Sequence, residues 1–284
     1  MLGESRRLPI KIKDKSIMKS YPLHSSENER RRLKMQAEAL LPLTNRMLAG
    51  AGIGPGSRVL ELGCGSGDVT LLLADLIGPS GQITAIDRDP QQVQVATTRA
   101  ASAGFGNVKF VVSEMSSFES DRVFDAVVGR YFLMYAADPD AAVVQAAGWI
   151  RPGGSLAFLE MDFFRGAGST IWPPVAFETQ QAITFIVDVM LDAGVNPHMA
   201  ARLPSLLGRY GPVNAETSAP MQFGARSIEL PLAAVRSVIP AARKLGRADA
   251  DRYDVDALLA YELAGRDEHT VTVPPLSVAA WVQI

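Results

Sequence analysis

Cysteine is almost absent from this sequence: Cys64 is the single thiol among 284 residues. That excludes an internal disulfide and any multi-cysteine metal site. Histidine is scarce as well, at three residues, and no group of His, Cys, Asp and Glu has metal-ligand spacing, so no metal is expected. No apolar run approaches the ~18 residues that cross a bilayer. The opening stretch from Met1 to Arg7 has no apolar segment behind its charges, unlike a secretory signal. These absences lead to the expectation of a cytoplasmic protein without a membrane. What is present, 48% hydrophobic, 20% charged and 7% aromatic residues, is the composition of a soluble globular chain with ample material for a core.

Charge is balanced overall but not along the chain. Residues 1–34 hold ten Lys and Arg against four acids, and the remainder holds 18 against 26. A basic arm over 1–26 binds a polyanion, clasps its own body or a second subunit, or is a solvated tail. Only Tyr21 lies among these charges, too little aromatic interleaving for a nucleic-acid binder. The expectation is therefore no nucleic acid, and a homo-oligomer formed through the arm.

From Ser26, with Glu29 three residues on, a capping box opens a helix that carries Leu33, Ala37, Leu40, Leu41, Met47 and Leu48 at helical spacing until Gly50. Strands are expected at 58–62, 82–87, 108–113, 124–129 and 155–162. Between them, helices start near Asp68, at Asp89-Pro90 and at Asp138-Pro139, the last two with an Asp cap before a proline. Such alternation predicts a parallel sheet with helices on both faces. Further on, helices are expected at 174–193, 199–207 and within 227–266, and strands at 213–223 and 270–284. Pro274-Pro275 argues for an edge or bulged position for the last one. The organisation is an arm (1–26), a core with its leading helix (27–165), and further strands with a helical cap (166–284).

The chemical signal is the run from Val59 to Thr70, a strand entering a turn with Gly63, Gly65 and Gly67 and then a helix. Glycine is needed where φ turns positive or where backbone must lie against a ligand. A dinucleotide loop requires glycine or alanine where this chain has Asp68, and a P-loop requires a lysine that is missing. Glu61 and Asp68 would repel a phosphate and suit a ligand with positive charge.

This combination resembles the class I S-adenosylmethionine (SAM) methyltransferases over residues 55–162. Glu61-x-Gly63-x-Gly65-x-Gly67 is similar to their first motif. Asp87, with Arg88 after it, matches the acid that holds the ribose hydroxyls. Ser113-Glu114-Met115 matches the adenine site, the run from Phe124 to Arg130 the fourth strand, and Arg151-Pro152-Gly153-Gly154 the turn before the fifth. The resemblance implies a Rossmann-like, doubly wound α/β fold with a mostly parallel seven-stranded sheet. It also implies SAM as cofactor, with S-adenosylhomocysteine (SAH) as product. Arg130 would meet the methionine carboxylate or pair with Asp138. Gln36 would reach the cofactor from the first helix, and Tyr21 would cover the sulfonium with its π face or pack on a neighbour. Arg31 and Arg32 are expected to face solvent.

For the methyl acceptor, the fourth strand leads into Gly129-Arg130-Tyr131-Phe132 rather than an Asn/Asp-Pro-Pro-aromatic motif, and Cys64 lies inside the cofactor turn. Both features argue against a nucleic-acid base. Tyr131, Phe132, Tyr135, Phe163, Trp172 and Phe177 are expected around an apolar pocket for a hydrophobic small molecule. His198, Asp162 and Glu160 are the candidate bases, with His198 carried forward as the catalytic choice beside Tyr21. With Glu29-Arg30, Leu33 and Gln36 before the core and Pro274-Pro275-Leu276 followed by Trp281 at the close, the chain also resembles a bacterial subgroup acting on small natural products, including the teleocidin-type C-methyltransferases that methylate a prenyl olefin of a terpenoid indole. Alternatives are O- or N-methylation of a quinone or polyketide, and a SAM-binding cyclase without methyl transfer.

Overall fold

The structure is a computed structural model and describes residues 27–120, 123–163 and 170–284. The arm over 1–26, and with it Tyr21 and the Ser26 cap, lies outside the described residues.

Helix α1 (Glu27–Gly50) leads into β1 (Arg58–Leu62), α2 (Asp68–Ile77), β2 (Gln82–Asp87), α3 (Pro90–Ser102), β3 (Val108–Val112), β4 (Phe124–Arg130), α4 (Pro139–Gly148) and β5 (Ile150–Met161). Both Asp-Pro helix starts form as the sequence dictates. Asp89 accepts from Gln91 N–H and Asp138 from Ala141 N–H, while the prolines occupy first-turn positions that need no donor.

The second half contributes β6 (Thr170–Trp172), α5 (Phe177–Asp192), α6 (Met199–Leu207), β7 (Asn214–Ser218), β8 (Gln222–Phe223), α7 (Arg226–Lys244), α8 (Val255–Ala264), β9 (Val271–Val273) and β10 (Ser277–Gln283). Seven strands form one sheet in the order β3-β2-β1-β4-β5-β10-β7, parallel except for β10, which runs antiparallel between β5 and β7. This is the seven-stranded, mostly parallel α/β architecture expected.

Two expectations are corrected here. The strand over 213–223 is two strands in two different sheets, because β8 joins β6 and β9 in a small second sheet. The prolines at 274 and 275 do not mark an edge strand. They fall in the link where the chain leaves β9, the middle strand of the small sheet, for β10 in the interior of the large one.

Alternate residues of each central strand feed opposite cores. Val59, Ala126, Val128 and Ala157 pack with Leu43 and Met47 of α1 and Leu73 and Ile77 of α2. Leu60, Val127, Leu156 and Phe158 pack with Val143 of α4, Leu203 of α6 and the α5–α7–α8 group. Burial on both faces explains why these strands read as continuous apolar runs. Helices α1, α5 and α7 pack together over the C-terminal ends of the strands, where an open α/β sheet binds its ligands. Among the described residues no helix is long and apolar enough to cross a membrane.

Candidate active site

A crevice of about 790 Å³ opens at those strand ends, within the size range of small-molecule sites. Its floor is the loop after β1. Gly63 and Gly65 take positive φ of 69° and 50°, and a Cβ added at Gly65 would meet nothing within 4 Å, so bare backbone faces open space there. Gly67 is not part of the wall. It caps α2 at φ 86°, with Ala96 of α3 only 3.0 Å from where its Cβ would stand, so its role is close helix approach.

Asp87 stands at the end of β2. One carboxylate oxygen accepts from Gly65 N–H at 2.8 Å and the other from Asp89 N–H at 2.9 Å. These bonds fix the carboxylate in the wall with lone pairs to spare. Burial raises its pKa, against the two backbone N–H groups that lower it. Arg88 and Glu114 face each other across the rim at 3.9 Å, and Met115 completes the wall beyond β3.

Glu61 is 2% exposed and takes a hydrogen bond from Thr70 Oγ1 of α2 at 2.5 Å, tying the strand to the helix around the turn. Burial pushes its pKa up to about 8. Asp68 accepts from Arg99 at 2.9 Å. Arg130, at the end of β4, lines the same crevice, and its Nη1 is buried without a hydrogen-bond partner. A buried guanidinium nitrogen with nothing to donate to is costly unless a ligand supplies the oxygen. The Asp138 alternative for Arg130 is not what forms: Asp138 caps α4, and the Arg130 Nη1 has no partner.

Helix α1 forms one wall through Arg32, Leu33 and Gln36. The expectation that Arg32 faces solvent is overturned, since it is 6% exposed. Its Nε and Nη2 hold both oxygens of Glu29 at 2.8 and 2.7 Å, and its Nη1 donates to Gln36 Oε1 at 2.5 Å. Glu29 also accepts from Ser237 of α7; the Ser26 half of the expected capping box lies outside the described residues. Arg31, by contrast, has a side chain 72% exposed.

Of the expected acceptor-pocket residues, the structure brings Tyr131, Phe132 and Tyr135 to the crevice, beside Met161, Ile186, Met190, Ala234 and Val238. Phe163 is instead core, at 5% exposure. Trp172 and Phe177 are on the surface, 65% and 78% exposed, because the chain after β5 turns away to build the small sheet. His198 is likewise outside the wall, at the start of α6, with its Nδ1 3.7 Å from Asp162. Glu160 is fully buried, and its carboxylate accepts from the N–H groups of Phe132, Leu133 and Met134 at 3.0, 2.7 and 3.2 Å. It is a clamp on the turn after β4, not a base. Arg32, Ile186 of α5, and Ala234 and Val238 of α7 were missed in the sequence, where nothing local marks them.

The comparisons with known proteins meet this geometry. Residues 53–183 match the family described as "Methyltransferase domain". The match covers 131 of the 284 residues, just under half of the chain. The match supports an enzyme that takes SAM as its methyl donor. Over 112 residues the chain is 33% identical to the ubiquinone/menaquinone biosynthesis C-methyltransferase of Shewanella halifaxensis, covering 39% of this chain and 45% of that protein. The match thus spans less than half of that relative's length. In fold, it superposes on the YcgJ protein of Bacillus subtilis with a TM-score of 0.56 at 14% identity, over 84% of this chain and 97% of that one. A coclaurine N-methyltransferase bound to N-methylheliamine and SAH gives 0.53 at 16% identity, over 85% and 71%.

The crevice fits SAM on three features: bare glycine backbone, the fixed Asp87 carboxylate and the orphaned Arg130 nitrogen. Among the described residues no group of His, Cys, Asp or Glu could hold a metal.

The two buried acids have a consequence for stability. Burial raises Glu61 and Glu160 from an ordinary 4.5 to about 8 when folded. Between those values the folded chain binds protons that the unfolded chain has released, so stability falls as pH rises through the window. Thermal unfolding recorded from pH 5 to 8.5 is expected to show a falling midpoint, and Glu61→Gln to flatten the slope. A midpoint that rises across this range would contradict it.

Proposed function

We propose that the whole chain is a SAM-dependent methyltransferase of a hydrophobic small molecule, and that the acceptor atom is an electron-rich carbon needing no prior loss of a proton. The observation that carries this is the absence of an available base on the acceptor side of the described wall. The wall acids, Glu61, Asp68, Asp87, Asp89, Glu114 and Asp138, belong to the glycine loop, the ends of β2 and β3, and the α4 cap. Glu160 is consumed by three amides, and His198 lies elsewhere.

When bound, SAM supplies a methyl group already activated by its sulfonium. Asp87 receives the ribose hydroxyls, Glu114 and Met115 bracket the adenine, and Arg130 draws the methionine carboxylate. The walls from α1, α5 and α7 exclude water and hold the acceptor, which is how positioning carries much of the rate. A relative named for C-methylation in quinone biosynthesis supports this reading. The test is turnover of methyl-labelled SAM with 1,4-naphthoquinol as probe acceptor. Label bound to ring carbon, with SAH released in equal amount, is expected; label on oxygen would overturn the carbon assignment.

Arg130 has its own test. Arg130→Met is expected to weaken SAH binding by about tenfold, measured by calorimetry. Binding of 5′-methylthioadenosine, which lacks the amino-acid end, stays unchanged. Equal losses for both compounds would remove Arg130 from the carboxylate.

A second reading is favoured by the three rings of Tyr131, Phe132 and Tyr135 on the wall. Their π faces suit a carbocation, as would form when a prenyl olefin of a natural product is methylated. Carbon-bound label from a prenylated indole would support it.

A further inference from the structure

Tyr131 is the one non-glycine residue among those described with positive φ, at 53°. For a bulky L-residue this backbone costs about 1–2 kcal/mol. Its neighbours over-determine it. Its N–H donates to Leu159 O at 2.7 Å, and Glu160 holds the next three N–H groups. The turn thus aims this one side chain from the end of β4 into the crevice wall.

The phenol oxygen lies 2.8 Å from Ser277 Oγ, where either atom could donate. Ser277 is 1% exposed, and among the described residues its hydroxyl has no other partner. If Tyr131 donated to it, the serine proton would be buried and idle. If Ser277 donates, the spare proton is the tyrosine O–H, on the residue of the two that lines the crevice, and a ligand can take it.

We propose that the Tyr131 hydroxyl is a hydrogen-bond donor that registers an acceptor molecule by an oxygen substituent, the acceptor being a phenol, enol or their ethers rather than a bare hydrocarbon. This rests on the methyltransferase reading above and narrows its substrate class. An oxygen on the ring is also what makes a neighbouring carbon electron-rich enough to be methylated without a base.

The test uses two isosteric probes, 1-methoxynaphthalene and 1-ethylnaphthalene, titrated into the SAH-loaded full chain and into Tyr131→Phe. The methoxy oxygen accepts and the ethyl CH₂ does not. Wild type is expected to bind the methoxy compound about five- to tenfold more tightly. Tyr131→Phe removes that preference and keeps SAH affinity within about twofold.

Equal binding of the two probes by wild type overturns the proposal. So does binding of neither, a preference kept by Tyr131→Phe, or a loss of SAH affinity in that variant, which would assign the phenol to the cofactor. Should Tyr131→Phe not fold, the wild-type probe pair decides alone. Failure of wild type to bind SAH at all overturns the methyltransferase reading and this proposal with it, and is seen before either probe is added.

Discussion

Replacing Asp87 with alanine is expected to lower affinity for SAH by about a hundredfold, close to 3 kcal/mol. Two losses combine. The carboxylate is the proposed seat of the ribose hydroxyls, and charge-assisted bonds of that kind are the strong ones. It also holds Gly65 and Asp89 through their N–H groups, so its removal frees the glycine turn that faces the ligand. Calorimetry with SAH and 5′-methylthioadenosine separates this from the Arg130 effect, because both compounds carry ribose and both should weaken alike. Asp87→Asn keeps an acceptor for one backbone N–H and should fall between. Unchanged affinity in Asp87→Ala would displace the cofactor from this crevice.

The second large effect is on stability. Glu160→Ala strands three buried N–H groups of residues 132–134. At about 1–2 kcal/mol for each, the loss is about 4 kcal/mol, or a fall of about 8–15 °C in Tm for a chain of this size. The same turn carries Tyr131 and Phe132 on the crevice wall, so binding of an aromatic probe should weaken in step. Glu160→Gln keeps the oxygen facing Phe132 and Leu133 and should lose less. A Tm for Glu160→Ala within about 2 °C of wild type would exclude the clamp.

The first half of the fold was legible because its signals are local. Asp89-Pro90 and Asp138-Pro139 are self-contained helix starts, and each central strand is apolar on both faces because both are covered. The glycine turn with its acids was legible for the same reason, since chemistry and backbone need coincide within ten residues. What depended on distant partners was not. Arg32 reads as one of three consecutive arginines, and only Glu29, Gln36 and Ser237 together make its burial tolerable. Glu160 reads as a free acid at a strand end until the turn after β4 folds back over it. Trp172 and Phe177 have the composition of a pocket, and the small sheet that carries the chain away has no local signature beyond Pro274-Pro275.

The antiparallel strand β10 lies between β5 and β7 and is the sole neighbour of β7 in the large sheet. During synthesis on the ribosome, β5 is therefore an open edge for as long as it takes to make the whole cap, and β7 has nothing to pair with. A nascent chain halted before Ser277 would display that edge to solvent, an invitation to pair with another chain. Slow translation through the cap would thus be a hazard for yield, and a chaperone that shields strand edges would relieve it.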